Sequence, residues 1–216
     1  LQDDRILESA SGIHGVFDPV RNKVVMTFLK AYLPGQKQHY EDYTISYNLN
    51  TQTFESFSDD KPASWLNSGA NLLSVNPDNL SEGWLSHEGE KNNFYGTVYD
   101  SEIHIIINPA ADITCIMDSI QCKGEMFIND VDQSNITLDT LQVLNDHQDS
   151  GVINLVVGEN VVRKFRSWRM NVPRDTKPND PRIRDYYMKV ILKHNPSNNE
   201  RMVLHDIITG YRPSPH

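Results

Sequence analysis

Eight histidines and two cysteines are the side chains of this 216-residue chain best suited to hold a metal or attack a substrate. Their spacing supports neither chemistry. No H-E-x-x-H pair occurs, and His104 and His205 fall in apolar runs, where a satisfied core or edge histidine is the expected reading. Cys115 and Cys122 lie seven residues apart, an odd spacing that points them to opposite faces of one extended strand; they read as buried free thiols. Two cysteines make neither a disulfide scaffold nor a four-ligand zinc site. The acidic run N-D-V-D-Q-S-N at 129–135 offers Asp130 and Asp132 to a calcium loop. It lacks glycine at the sixth position, where Asn135 stands, and Leu141 occupies the place of the bidentate glutamate. There is no G-x-S-x-G, no phosphate-cradling glycine loop, and no carboxylate pair that stands out from a solvated face. For a chain of this length, these residues make a weak case for an enzyme.

One stretch remains distinctive: V-V-R-K-F-R-S-W-R-M-N-V-P-R, residues 161–174. Read as a single strand, it points Arg163, Phe165, Ser167 and Arg169 one way and Lys164, Arg166, Trp168 and Met170 the other. Guanidinium forks beside aromatic rings are the composition of protein interfaces. The charge distribution agrees. Residues 160–216 carry 12 Lys and Arg against 5 Asp and Glu, a net of +7, while residues 1–159 carry 8 against 24, a net of −16. Such asymmetry serves internal or subunit-to-subunit complementarity, or a basic face for phosphate. In a chain of net charge −9, mating surfaces are favoured over nucleic acid, which most of the surface would repel. The interface candidates are Arg163, Lys164, Arg166, Trp168, Arg169, Arg174, Arg182 and Arg184. Those on the outer face are expected to meet acidic side chains of a neighbouring subunit, and the others to lay their stems over Trp168 and Tyr186.

The elements that must position these residues are strands and turns nearly throughout. Residues 13–18 end at the turn pair Asp18-Pro19. Residues 23–29, K-V-V-M-T-F-L, read as a strand buried on both faces. Pro34-Gly35 opens a polar loop, and 43–49 alternates, with Tyr43, Ile45, Tyr47 and Leu49 on one face. Residues 53–58 return, bringing Phe54 near Tyr47. Residues 1–62 thus read as a blade-like antiparallel meander, of the length of one propeller blade and expected to complete a larger propeller-like domain, although any antiparallel meander has the same period. Residues 63–100 read as a Ser/Asn-rich connector with short strands. Residues 101–216 offer about six or seven strands and argue for an antiparallel β-sandwich. No segment keeps a 3.6-residue period beyond two turns, so the fold class is all-β. The longest apolar runs, 103–107 and 152–157, are far short of the ~20 residues of a membrane span. The chain opens on Leu1 and leads at once into Asp3, Asp4 and Arg5, which reads as a fragment of a longer polypeptide.

At this point the sequence resembles a family. F-D-P-V-R-N-K-V-V-M-T-F, Y-T-I-S-Y-N-L-N-T-Q-T-F-E-S-F, F-Y-G-T-V-Y-D-S-E-I-H-I-I-I-N-P, N-D-H-Q-D-S-G and the closing K-F-R-S-W-R-M-N-V-P-R…Y-Y-M-K-V-I-L-K…L-H-D-I-I-T-G-Y-R-P-S resemble the virion proteins of crAss-like tailed phages. Among these, the similarity is to the C-terminal end of the tail muzzle proteins, nozzle-like in role. The resemblance implies a structural virion protein, assembled in the bacterial host cytoplasm as part of a multimeric muzzle through which DNA and cargo proteins exit. It implies no enzyme and no cofactor. The implied partners are other copies in a ring, neighbouring tail or ring proteins, the remainder of a cleaved precursor, and phage DNA in transient contact. Two other classes stand beside it. A carbohydrate- or receptor-binding β-module would expose Trp65, Trp84 and Tyr95 on one face, and a glycoside hydrolase would need two carboxylates about 5–10 Å apart in a cleft.

Overall fold

The computed structural model describes residues 12–29, 42–69, 71–109, 112–177, 181–196 and 200–214. The polar loop read at 34–35 and the opening stretch 1–7 lie outside the described residues. Every regular element among the described residues is a β-strand, and all pairs of strands are antiparallel, so the all-β reading holds. No helix among them is long and apolar enough to cross a membrane. The chain divides into two compact units, Leu1–Thr97 and Val98–His216.

The first unit is built on a four-stranded meander, β1 (Gly12–Asp18), β2 (Lys23–Leu29), β3 (Tyr43–Asn48) and β4 (Thr53–Ser58), with each strand beside its sequence neighbour. Short polar side chains make its turns. Asp18 Oδ1 accepts the amides of Val20 at 3.0 Å and Arg21 at 3.3 Å, and Asn48 Oδ1 accepts those of Asn50 and Thr51 at 2.8 and 3.3 Å. These are Asx turns, in which the side chain stands in for a backbone acceptor. Within 63–100, read as a connector with short strands, β5 (Ser64–Ser68) and β6 (Asn71–Val75) form a hairpin with β7 (Gly83–Leu85) beside it. Gly69, at φ +66°, supplies the turn that Ser/Asn-rich composition concealed. Two short strands, β8 (Asn93–Phe94) and β9 (Thr97–Val98), pair with each other.

The two faces of the meander are unlike. On one, Thr27 and Thr44 are buried and share a 2.8 Å hydroxyl contact, and Trp65 Nε1 donates to Thr27 Oγ1 at 2.8 Å. The other carries Ile13, Phe17, Val24, Met26, Phe28, Tyr43, Ile45, Tyr47, Phe54 and Phe57, which the strand register aligns. The expectation that β2 is buried on both faces is therefore corrected: Thr27 alone is buried along it. β-branched and aromatic residues mark a pleated surface, but they do not say whether anything packs on it.

The second unit holds two sheets that share one core. The first runs β10 (Ser101–Ile107), β18 (Met188–His194), β13 (Thr140–Leu144), β14 (Ile153–Asn154). In the second, the 14-residue β11 (Cys115–Ile128) pairs with β12 (Val131–Asp132), β16 (Ser167–Asn171), β17 (Arg184–Asp185) and the 14-residue β19 (Glu200–Pro213), and β15 (Val161–Lys164) joins β16. Leu141, Val143, Met188, Val190 and Leu192 from the first sheet pack with Cys115, Met117, Ile120, Cys122, Val161, Trp168 and Met170 from the second. Both cysteines are free and buried in this core, although seven residues apart on one strand. A register shift between Met117 and Ser119 explains it: the bulge flips the alternation, so inward positions are 115 and 117 before it and 120 and 122 after it.

Candidate contact surface

The basic-aromatic stretch is a hairpin, not one strand. β15 and β16 pair Val161 with Met170, Val162 with Arg169, Arg163 with Trp168 and Lys164 with Ser167. Phe165 and Arg166 alone form the loop, at φ +52° and +60°. Two consecutive left-handed residues between antiparallel strands make a type I′ turn, whose twist matches that of the strands and which ordinarily selects Asn-Gly. The sequence signal for a hairpin is absent, because the loop residues are the wrong type.

Closing the hairpin re-sorts the candidate residues. Trp168 turns inward, 4% exposed, opposite Cys122. The Arg163 guanidinium lies 5.2 Å from the centre of the Trp168 ring, and its Nη1 is buried without a hydrogen-bond partner. At the tip, Phe165 is 85% exposed, Lys164 Nζ stands 5.5 Å from its ring, and Arg166 Nη1 lies 3.8 Å from Glu125 Oε1. Arg169 points to the outer face of the sheet, where it lines an open groove with Ser119, Gln121, Glu159, Asn160 and Asn171. Arg174 is exposed beyond the end of β16. Arg182 Nη1 is bound to Asp118 Oδ1 at 2.6 Å, and Arg184 occupies β17, opposite Ile116. The hairpin aligns with residues 119–123 of β11, and Arg184 with the far end of that strand. At about 3.3 Å per residue, Arg169, opposite Gln121, stands five positions or roughly 17 Å along β11 from Arg184, opposite Ile116, with the Asp118 that holds Arg182 between them. The candidates therefore form a hairpin group and a β17 group.

Part of the charge asymmetry is answered inside the unit. Asp118, at the bulge, also receives Arg212 Nε at 3.1 Å; Lys193 reaches Asp100 at 2.6 Å and Arg201 reaches Asp130 at 3.6 Å. Tyr186 is half exposed. Asp118 and Phe165 gave no signal in the sequence, because a bulge and a left-handed phenylalanine are decided by strand register.

The residues first considered for chemistry are placed elsewhere. His104 is exposed and paired with Glu102, and His205 Nε2 lies 3.7 Å from Glu125. Burial pushes the Cys122 thiol up to about 11, away from the nucleophilic thiolate. Asp130 sits in the turn between β11 and β12. Among the described residues, no three His, Cys, Asp or Glu side chains gather as metal ligands. In the first unit, Trp65 and Trp84 line a cleft of about 280 Å³ with Asp18, Ser46, Ser58 and Asp60. Both tryptophans and Tyr95 are half buried, and Tyr95 meets Trp84 edge-on at 5.8 Å. Burial pushes the Asp60 carboxyl up to about 6, against a hydrogen bond with Tyr95 that lowers it.

Residues 89–175 match the family model of the Crassvirus muzzle protein C-terminal domain. The resemblance drawn from the sequence is to that family. The muzzle protein of Bacteroides phage crAss001 is 27% identical over 176 residues, covering 80% of this chain. The chain spans only 13% of the length of that relative. The segment matched to the muzzle C-terminal domain contains the whole β15–β16 hairpin, Arg174 and Asp118, while Arg182 and Arg184 lie beyond it.

Proposed function

We propose that this chain is a structural component of a phage virion tail, contributing to the multimeric muzzle through which DNA and cargo proteins leave. The observation that carries this reading is its similarity to a muzzle protein across 80% of its length. Its partners are other copies in a ring and neighbouring tail or ring proteins, and its role is architectural rather than catalytic. The proposal takes residues 1–62 as a blade-like part of a propeller-type domain, 63–100 as a connector carrying short strands, and 101–216 as a β-sandwich. In support of the sandwich, both sheets of the second unit contribute to one core. The hairpin group and the β17 group, Arg163, Lys164, Arg166, Trp168, Arg169 and Arg174 with Arg182 and Arg184, form protein-facing contacts. Trp168 acts from the interior, as the plate under Arg163.

Replacing Arg166 and Arg169 by Glu tests the reading. Both side chains are exposed, so the fold is expected to survive while incorporation into tails fails. Normal assembly with loss of DNA retention would turn the basic hairpin toward the channel, and absence of the chain from purified particles would overturn the virion role. The cleft lined by Trp65 and Trp84 favours a second reading, a carbohydrate- or receptor-binding module. Saturable binding on a glycan array, abolished by Trp84→Ala, would establish it.

A further inference from the structure

The cleft of the first unit joins aromatic walls to buried acceptors. Strands β3 and β4 give it Ser46, Ser56 and Ser58, β5 and β7 give it Trp65 and Trp84, and residues 86–94 add a polar stretch. Two of its acceptors are unanswered. Asp60 is 5% exposed, and Tyr95 hydrogen-bonds its carboxyl, yet Oδ1 has no partner among the described residues. Asn93 donates through Nδ2 to Glu90 Oε2 at 3.2 Å, while its Oδ1 is buried without a partner among them. Beside these, His87 Nε2 stands 3.1 Å from Asp18 Oδ2, with Nδ1 buried and unpaired. A buried acceptor left unpaired is costly, and a hydrogen-bond donor entering the cleft would relieve that cost.

We infer that this cleft binds one ring of an uncharged sugar, with Asp60 Oδ1 and Asn93 Oδ1 accepting its hydroxyl hydrogens and the tryptophans receiving its C–H face. The inference rests on the second reading above, that the cleft takes a ligand, and adds the ligand's class and the groups that select it. A pyranose carries hydroxyls that both donate and accept around an apolar ring face. The lining answers both sides: serine hydroxyls donate or accept, the carboxylate and amide oxygens accept, and indole surfaces cover apolar area.

Size and charge narrow the class. About 280 Å³ lies at the small end of ligand sites, which run from about 300 to 1,000 Å³, so the cleft suits a single ring better than a folded chain. The unpaired oxygens demand a donor, so a phosphate or carboxylate ligand would leave them unanswered. A cationic side chain would donate, but Arg21, Lys23 and Lys91 line the same cleft and oppose it. The charged lining nearly balances, four Asp and Glu against three Lys and Arg with His87 beside them, as a neutral ligand requires.

Saturation-transfer NMR and tryptophan fluorescence titration of the 216-residue chain test this, with the methyl pyranosides of glucose, galactose, mannose and N-acetylglucosamine as probes. At least one is expected to bind with a Kd on the order of 1 mM, as ligands of so few atoms do. Methyl glucuronide and methyl glucosaminide, which carry a charge, should bind roughly tenfold more weakly or not at all. Asp60→Asn removes the charge that assists the hydrogen bond, and Asn93→Ala removes the second acceptor; each should weaken binding by roughly five- to tenfold. Circular dichroism checks that both variants fold, and Asn93, outside the fully buried set, serves if Asp60→Asn does not. Binding of a charged probe in preference to the neutral ones, or of an oligolysine peptide in their place, would overturn the sugar class while leaving the cleft a ligand site. Neutral-sugar binding lost in Trp84→Ala but untouched by both acceptor variants would overturn the role of Asp60 and Asn93. Absence of binding to every probe at about 20 mM would overturn the inference and the reading beneath it together.

Discussion

At φ +52° and +60°, Phe165 and Arg166 hold left-handed backbone conformations that cost side chains with a Cβ roughly 1–2 kcal/mol each. Substituting Phe165→Asn and Arg166→Gly places in the turn the residues that type I′ geometry favours. Against a gain of about 2–3 kcal/mol stand three losses. Glycine adds unfolded-state freedom worth about 0.5–1 kcal/mol. The exposed Lys164–Phe165 ring contact contributes about 0.5 kcal/mol. The Arg166–Glu125 pair, solvent-exposed at 3.8 Å, contributes close to nothing. Phe165 is 85% exposed and removes almost no packing. The net expectation is about 1 kcal/mol of added stability, or roughly 3–6 °C in Tm for a unit of this size. Urea unfolding of the full chain, followed by circular dichroism, reads it as a higher midpoint at unchanged slope. A double variant equal to or less stable than the wild type would refute the idea that this turn stores strain. Strain kept at an exposed tip is the pattern of a functional contact. The same variant should therefore assemble less well although it folds better.

Two further outcomes are expected. Trp168→Ala opens a cavity in the core of the second unit and should cost about 3–5 kcal/mol in urea unfolding; a loss below about 1 kcal/mol would mean that the ring does not pack there. Asp60 has a folded-state value of about 6, above the ordinary aspartate value of 3.8, so the fold binds its proton more tightly than the unfolded chain does. Its contribution is fully present below about pH 4 and is lost as the pH rises through about 6, on the order of 3 kcal/mol in all. Asp60→Asn should flatten that part of the stability–pH profile, and a profile identical to that of the wild type would show the carboxyl to be solvated.

What the residues determined by themselves was local. Alternation and β-branched runs placed β1 to β4 and their order, because a side-chain period of two and Asx turns are properties of neighbouring residues. The Tyr47–Phe54 pairing followed from the same short hairpin, with its turn at Asn50-Thr51. The tertiary structure decided everything that depends on parity or on cover. A single bulge after Met117 turned Cys115 and Cys122 to the same core, against the alternation rule. A turn made from Phe165 and Arg166, without the usual Asn-Gly, folded the basic run back on itself, sending Trp168 inward and leaving the phenylalanine at the tip. Pairing with acids distant in sequence took up Arg182 and Arg212 at Asp118, which no local pattern announces. Propensity registers that a residue suits a sheet surface; which surfaces meet another depends on the register of strands far apart in the chain.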